Sequence, residues 1–449
     1  MNRLHVQTAK AISNDVRHAR ISAVAVCESA LAHAERIGRD RSGFTRLLRS
    51  RALSRAAAVD NIVQAGLDPG PLAGVPFGAA DLFDVSGQIT TAGSKIRSGG
   101  VFAHGDAKAI SLLEAAGAVL IGTQNMDEFS YGFVTMNSHY GTTLNPHDSN
   151  RLAGGAAGGS AAAVGTGTVP FSLAFDTNGS LRVPAALCGV IGLKPTYGDL
   201  PREGCFPFVD SLDVIGALAR DLDDIILIRE VLRQGRPESQ EPTRSPLRFG
   251  RLSGWFDREI ENELREPLNH FSEKLGRVGF ELEHAEISRA AASIIIAAEG
   301  ASFHRRRLER DPLAFDPATR DRLLAGLLLS SDDYLHAQRF RSWIQERSRA
   351  QFKLCDVMFT PAAPGFAPTI ADPTISFEGG RVPARSHLGI YTQPVSLIGL
   401  PALVLPLAGS FPLPLGVQII ATAGGEQTLF EAARFLIERG LVAIPTPAI

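Results

Sequence analysis

Apolar positions along this chain follow two periods. Small and apolar residues recur at helical spacing in "ISAVAVCESALAHAERIG" and "LLRSRALSRAAAVDNIVQAG", each ending near a glycine stop. They predict helices over 8–37 and 45–66. "LAGVPFGAADLFDV" (72–85), bounded by Pro71 and Gly87, reads as a buried strand and loop. "DAKAISLLEAAGAVLIGTQNMDEF" (106–129) reads as a helix, a stop at Gly117 and the strand "VLIGT". That is an αβ unit of a layered sheet. "LRFGRLSG", a helix near 259–277 and "FELEHAEI" form a second such unit. Residues 330–352 read as a charged amphipathic helix, and "DVMFTPAAP", "PALVLPL" and "LGVQIIATA" as buried strands. A last helix, "EQTLFEAARFLIERG" (426–440), stops at Gly440. Strands and helices interleave throughout, so the expected class is α/β with a large, mostly interior mixed β-sheet covered by helices on both faces.

Composition narrows this picture. With 449 residues, 45% of them apolar, the chain has material for one large α/β unit or two fused lobes. We expect a single domain over 1–449. "GRPESQEPTRSP" (235–246), polar and with three prolines, is either a surface loop or a lobe boundary. The net charge of −2 gives no electrostatic footprint for nucleic acid or an anionic membrane. Arg305, Arg306 and Arg307 make a short basic run, read as a solvated helix face. Cys27, Cys188, Cys205 and Cys355 are scattered without a C-x-x-C pair, as expected of free thiols in a reducing compartment. The N-terminus lacks an apolar signal core, and "AAASIIIAA" (290–298) and "VSLIGLPALVLPLAG" (395–409) are too short or too proline-broken to span a membrane. These features predict a cytoplasmic protein.

The chemistry concentrates in "RLAGGAAGGSAAAVGTGTVPFSLAFDTNGSLRVPAALCGVIGLKPTYG" (151–198). Two Gly-Gly pairs precede an alanine-rich helix start, where close backbone approach and free N–H groups are available to an anion. "DTNGS" then sets Thr177, Asn178, Gly179 and Ser180 on a tight turn. Successive N–H groups of such a turn can converge on a developing oxyanion. The pattern has two readings: a serine acyl-transfer site with a backbone oxyanion hole, or a glycine-rich structural loop. Arg182 likewise reads either as a bidentate clamp for a substrate carboxylate or as half of an ion pair that braces the turn. There is no G-x-S-x-G elbow, P-loop, dinucleotide fingerprint or H-E-x-x-H. His139 and His147 lie in loop-like sequence. We expect neither a metal nor another cofactor.

The same stretch resembles the signature of the amidase signature family along its whole length. The resemblance extends to "GVPFGAADLFDVSGQITTAGS", "LLEAAGAVLIGTQNMDEFSYGF", "LNPHDSNRLAGG", "YTQPVSLIGLPALVLPL" and "PLGVQIIA", and so covers most of the chain. Within the family, "NMDEFSYGF", "DTNGS" and "YTQP" are most similar to the biuret and 1-carboxybiuret hydrolase group. The resemblance implies the amidase signature fold, C–N bond hydrolysis and a Ser–Ser–Lys triad. It places the nucleophile at Ser180 and the bridging serine 24 residues upstream, at Ala156. It places the lysine at the end of "GVPFGAA", at Ala80. Ala157 follows where a second serine is usual. Two of the three triad positions are therefore alanine.

A serine hydroxyl is a poor nucleophile until a base takes its proton. In the family a desolvated, neutral lysine does so through the bridging serine. Methyl groups neither accept nor relay protons, and losing a general base costs roughly 10²–10⁴ in rate. Lys95 and His139 are the substitute bases to consider. Lys194, among only six lysines, and Cys188 read as structural. Three functions follow. The first is an impaired carboxybiuret-type amide hydrolase. The second is a non-catalytic pseudo-amidase that binds a small amide or carboxylate, or supports a partner enzyme. The third is another reaction using Ser180 and Arg182. The expected partners are a small amide, urea-like or carboxylate ligand, and either a small accessory subunit or further copies of the chain. An intact Ser180 favours natural loss of the triad over a laboratory variant made to trap a ligand.

Overall fold

The strands form where the apolar runs predict them. In chain order the main sheet contains β1 (Phe44–Leu47), β2 (Pro76–Ala80), β3 (Val119–Gln124), β4 (Phe171–Asp176), β5 (Ile191–Lys194) and β6 (Val214–Ala219). It continues with β7 (Phe249–Ser253), β8 (Gly279–Glu281), β9 (Val357–Pro361), β10 (Ala402–Pro406) and β11 (Gly416–Ile420). This computed structural model describes residues 4–236, 246–276 and 279–447. Most of the proline-rich 235–246 segment, residues 237–245, therefore lies outside the described residues.

The eleven strands share one sheet in the order β1-β3-β2-β4-β6-β5-β10-β11-β9-β7-β8. β2 runs parallel to both β3 and β4, whereas β4–β6, β6–β5 and β5–β10 are antiparallel, so the sheet is mixed. Every residue of β2, β3, β4 and β6 is buried. That explains their unbroken apolar runs, since a strand covered on both faces has no wet side to alternate towards. Phe77 and Phe171 stack across neighbouring strands at 5.1 Å between ring centroids. Helices cover both faces of the sheet. Among them are Gly158–Gly165, Arg182–Cys188, Leu222–Arg233 and Glu426–Glu438.

Three local expectations need correcting. The helix over 8–37 is two helices, Ala9–Arg17 and Ala23–Ile37. The break falls at Ala19, which adopts φ 53°, and Ser22 caps the second helix by accepting from Ala25 N at 3.1 Å. The helix over 45–66 begins only at Arg49, because Phe44–Leu47 pairs antiparallel with β3 at the sheet edge. Of "FELEHAEI", only the start is strand, and Ala285 opens a 26-residue helix to Arg310. Elsewhere the punctuation holds. Gly117 (φ 95°) ends the helix before β3, and Ser330 and Asp333 form a capping box ahead of Ser331–Gln351. No helix among the described residues is long and apolar enough to cross a membrane. The four cysteines are free thiols.

Candidate active site

Parallel pairing of β2, β3 and β4 brings their carboxyl ends together, where α/β sheets bind ligands. Ala80 ends β2, and the Asp176–Ser180 turn follows β4 directly. The glycine-rich segment closes over this edge. Gly154 takes φ 83°, and the Gly155–Ala156 peptide is cis. Gly159 N donates to Asn125 O just past β3 at 3.1 Å, and Ala157 N donates to Ser180 O at 3.0 Å. The Ala156 segment and the Ser180 turn are thus hydrogen-bonded neighbours. Ala80, Ala156 and Ser180 are all buried, at 1%, 0% and 2% exposure.

A cavity of about 20 Å³ opens at Ser180. Thr177, Asn178 and Ser180 line one side, Ser130, Tyr131, Gly132 and Phe133 another, and Phe208, Ile296 and Arg322 complete it. Neither Ala80 nor Ala156 reaches its wall. The Ser180 hydroxyl makes no hydrogen bond within the chain among the described residues. The Asn178 side-chain oxygen is buried without a partner, which leaves it available to a ligand donor. Phe208 also borders an open groove of about 650 Å³ against the Ala285–Arg310 and Ser331–Gln351 helices. Its ring, packed 4.8 Å from that of Tyr131, divides the two spaces.

The turn is held from behind by buried charge. Arg182 is fully buried and donates through Nε and Nη2 to Asp176 at 2.9 and 3.0 Å. Its remaining donors reach Gln418 Oε1 (2.8 Å), Thr392 O (3.1 Å) and Ser396 Oγ (2.5 Å). Fully buried behind the turn and absent from the cavity wall, Arg182 does not reach a ligand there, so the carboxylate-clamp expectation is corrected to the structural ion pair. Burial pushes the Asp176 carboxyl up, but Arg182, assisted by hydrogen bonds and Lys194, outweighs it and holds the group below its ordinary range. Gly179 (φ 118°) donates its N–H to Asp176 Oδ1 at 2.7 Å. Its expected place among the oxyanion donors therefore falls away. A Cβ at Gly179 would overlap the Thr392 side chain, so only glycine fits. The N–H groups of Thr177, Asn178 and Ser180 stay uncommitted within the chain among the described residues. The Thr177 hydroxyl donates to Asp213 Oδ1 at 2.7 Å. Asp213 Oδ2 in turn accepts from Phe208 N and Val209 N at 2.8 and 3.0 Å. This bridge ties the Ser180 turn to the aromatic wall, and burial raises the Asp213 carboxyl to about 6.

The proposed substitute bases lie elsewhere. His139 sits 3.3 Å from Glu128 Oε1, which also accepts from Ser94 Oγ at 2.6 Å, while Glu128 Oε2 accepts from Asp316 N at 2.8 Å. Burial raises Glu128 to about 7. Lys95 is exposed beside this cluster. Neither His139 nor Lys95 lines the Ser180 cavity. Burial, then repulsion from Arg182, lowers Lys194 to about 7, but its Nζ donates to Pro195 O at 2.9 Å and it too lies off the cavity wall. His147 bonds the Cys188 carbonyl at 3.0 Å. Among the described residues no cluster of His, Cys, Asp or Glu is arranged to hold a metal ion.

Arg322 is the residue that sequence reasoning missed. Its guanidinium stacks 3.5 Å from the Tyr131 ring centroid and donates through Nη1 to Tyr131 O at 3.1 Å. Beyond the Tyr131 backbone and side chain no residue takes its donors among the described residues, so it presents a positive charge and remaining donors to the Ser180 cavity.

The amidase family profile matches residues 25–430. The chain is 40% identical to AtzE, a 1-carboxybiuret hydrolase subunit of Pseudomonas sp. (strain ADP), covering 96% of this chain and 98% of that one. It is 34% identical to one of the glutamyl-tRNA(Gln) amidotransferase subunits of Anaeromyxobacter dehalogenans (strain 2CP-C), covering 95% and 94%. Among solved structures, one comes from a vestigial protein complex tied to the evolutionary origins of an s-triazine catabolic enzyme. It superposes with a TM-score of 0.93 at 39% identity, over 98% of this chain and all of that one.

Proposed function

The chain belongs to the amidase family, and we propose that it is a carboxybiuret-type amidase pocket that binds a small carboxylate-bearing amide, with severely impaired turnover or none. One observation carries this reading. A serine, a free buried amide oxygen and an arginine held only by Tyr131 share one cavity at Ser180, while the positions matching the lysine and the bridging serine are the methyl groups of Ala80 and Ala156. The space of about 20 Å³ must widen to admit such a ligand, and a turn of the Phe208 ring towards the adjoining groove would open it; Arg322 then takes the carboxylate. The amide carbonyl faces the free N–H groups of the Thr177–Ser180 turn, and Asn178 Oδ1 accepts from the ligand's N–H. The Ser180 hydroxyl stands ready for attack, but nothing on the cavity wall draws off its proton. Binding outlasts catalysis because the turn's donors do not depend on the base.

Calorimetric titration with malonamate and biuret tests this. Malonamate, which carries a carboxylate, is expected to bind. Arg322→Met is expected to weaken it about 10–100-fold, as for loss of a charged hydrogen bond, and to leave biuret unaffected. Equal malonamate affinity in both proteins would remove Arg322 from recognition. The second reading, a cytoplasmic non-catalytic chain that supports a partner enzyme and itself joins a small accessory subunit or further copies, draws on the structural neighbour having been solved in a protein complex. Co-purification of the natively expressed chain, read by mass photometry, tests it.

A further inference from the structure

The strand beside Ala80 carries a long, buried polar side chain. Pairing sets Ala80 level with Gln124 of β3, and Gly78 level with Ser172 of β4. Residues 78 and 80 are two apart on one strand and so share a face of the sheet. Gln124 Nε2 donates to Ser172 Oγ at 2.8 Å. Because β2 lies between β3 and β4, the Gln124 side chain must span β2 to make that bond. It crosses at Gly78, where a Cβ would overlap the Gln124 amide. Gln124 and Ser172 are both fully buried, and Gln124 Oε1 has no partner. A buried amide that leaves its carbonyl unpaired is costly to keep, so its retention points to packing. The absence of a side chain at Gly78 leaves it room, and at position 80, level with Gln124, stands only a methyl.

We propose that Gln124 has taken the volume a long side chain at position 80 needs. It forms a polar crossbar from β3 to β4, and Gly78, Ala80, Gln124 and Ser172 are a matched set. The missing base is then built into the core: lysine at 80 fits only when residue 124 is shortened. The meaning of this inference rests on reading Ala80 as the base position; its packing argument does not.

A double-mutant cycle on the full chain tests it, with thermal unfolding of wild type, Ala80→Lys, Gln124→Thr and Ala80→Lys/Gln124→Thr. Ala80→Lys is expected to lower Tm by about 2–3 °C through overpacking in a chain of this length. In the Gln124→Thr background the loss is expected to shrink to less than half. An equal loss in both backgrounds would overturn the crossbar. So would a lysine better tolerated beside the native Gln124 than beside the shorter threonine, since Oε1 would then be serving as its acceptor. If neither lysine variant folds, Gly78→Ala decides: a Tm loss with Gln124 in place and none in the Gln124→Thr background supports the crossbar, and equal losses refute it. The cycle reads packing alone, so its failure leaves the proposed function standing, and failure of the ligand titration leaves the crossbar standing.

Discussion

The two regions that flank Ser180 are built from different material. Behind Ser180, a fully buried Asp176–Arg182 pair spreads five side-chain donor contacts over Asp176, Thr392, Ser396 and Gln418. At Ala80 and Ala156 there are only methyl groups, with an amide crossbar alongside. On the proposed reading, presenting a serine and activating it are separable tasks. The turn is held by ionic and hydrogen-bonding partners from β4, the 389–398 segment and β11, none of which belongs to the base. Alanine at positions 80 and 156 leaves that scaffold intact.

The largest expected effect comes from rebuilding the poor side. Ala80→Lys with Ala156→Ser, in the Gln124→Thr background, is expected to raise ammonia release from biuret or malonamate by roughly 10²–10⁴ over wild type, the usual worth of a general base. Either change alone is expected to gain little, because lysine without the relay cannot reach the Ser180 proton. A folded triple variant with no gain, its integrity checked by circular dichroism, would mean that the base is not what the pocket lacks.

Breaking the rich side acts on stability instead. Arg182→Met strands the Asp176 carboxylate without a counter-charge and is expected to cost about 3–5 kcal/mol in denaturant unfolding. A loss under about 1 kcal/mol would show that the turn does not depend on the pair. Thr177→Val is a milder cut. It removes one donor to Asp213, whose other oxygen keeps both backbone partners, and is expected to cost about 1–2 kcal/mol.

The smallest effect belongs to the neighbouring Glu128–His139 cluster. Burial raises Glu128 from an ordinary 4.5 to about 7, so between those values the folded chain holds a proton that the unfolded chain has released. Stability contributed by this group is full below about pH 4.5 and is lost as pH rises through 7. Glu128→Gln mimics the protonated form and is expected to flatten that decline in Tm-against-pH scans while leaving malonamate affinity unchanged. A loss of affinity would bring this cluster into the binding site.

The sequence patterns disclosed the interior strands because burial on both faces leaves a continuous apolar run. They hid β1, whose residues carry a helix-like period and become a strand only by pairing with β3. The glycine-rich turn around Ser180 was legible because its backbone demands are local. Arg182 was ambiguous because what decides its role is distant: Gln418 lies 236 positions along the chain. Arg322 carried no local signal. It reaches the cavity only when its helix, Pro317–Gly326, packs beside Tyr131. Gln124 looked like one more strand residue until the strand order placed β2 between it and Ser172.

Ammonia release by wild type and by Ser180→Ala, side by side on biuret and malonamate, is the most direct test of a pocket that binds without an effective base. The two proteins are expected to release ammonia at the same background rate. A wild type running roughly 100-fold or more above Ser180→Ala, the lower bound for a working general base, would contradict the account, because such a base would then have to serve Ser180 despite Ala80 and Ala156.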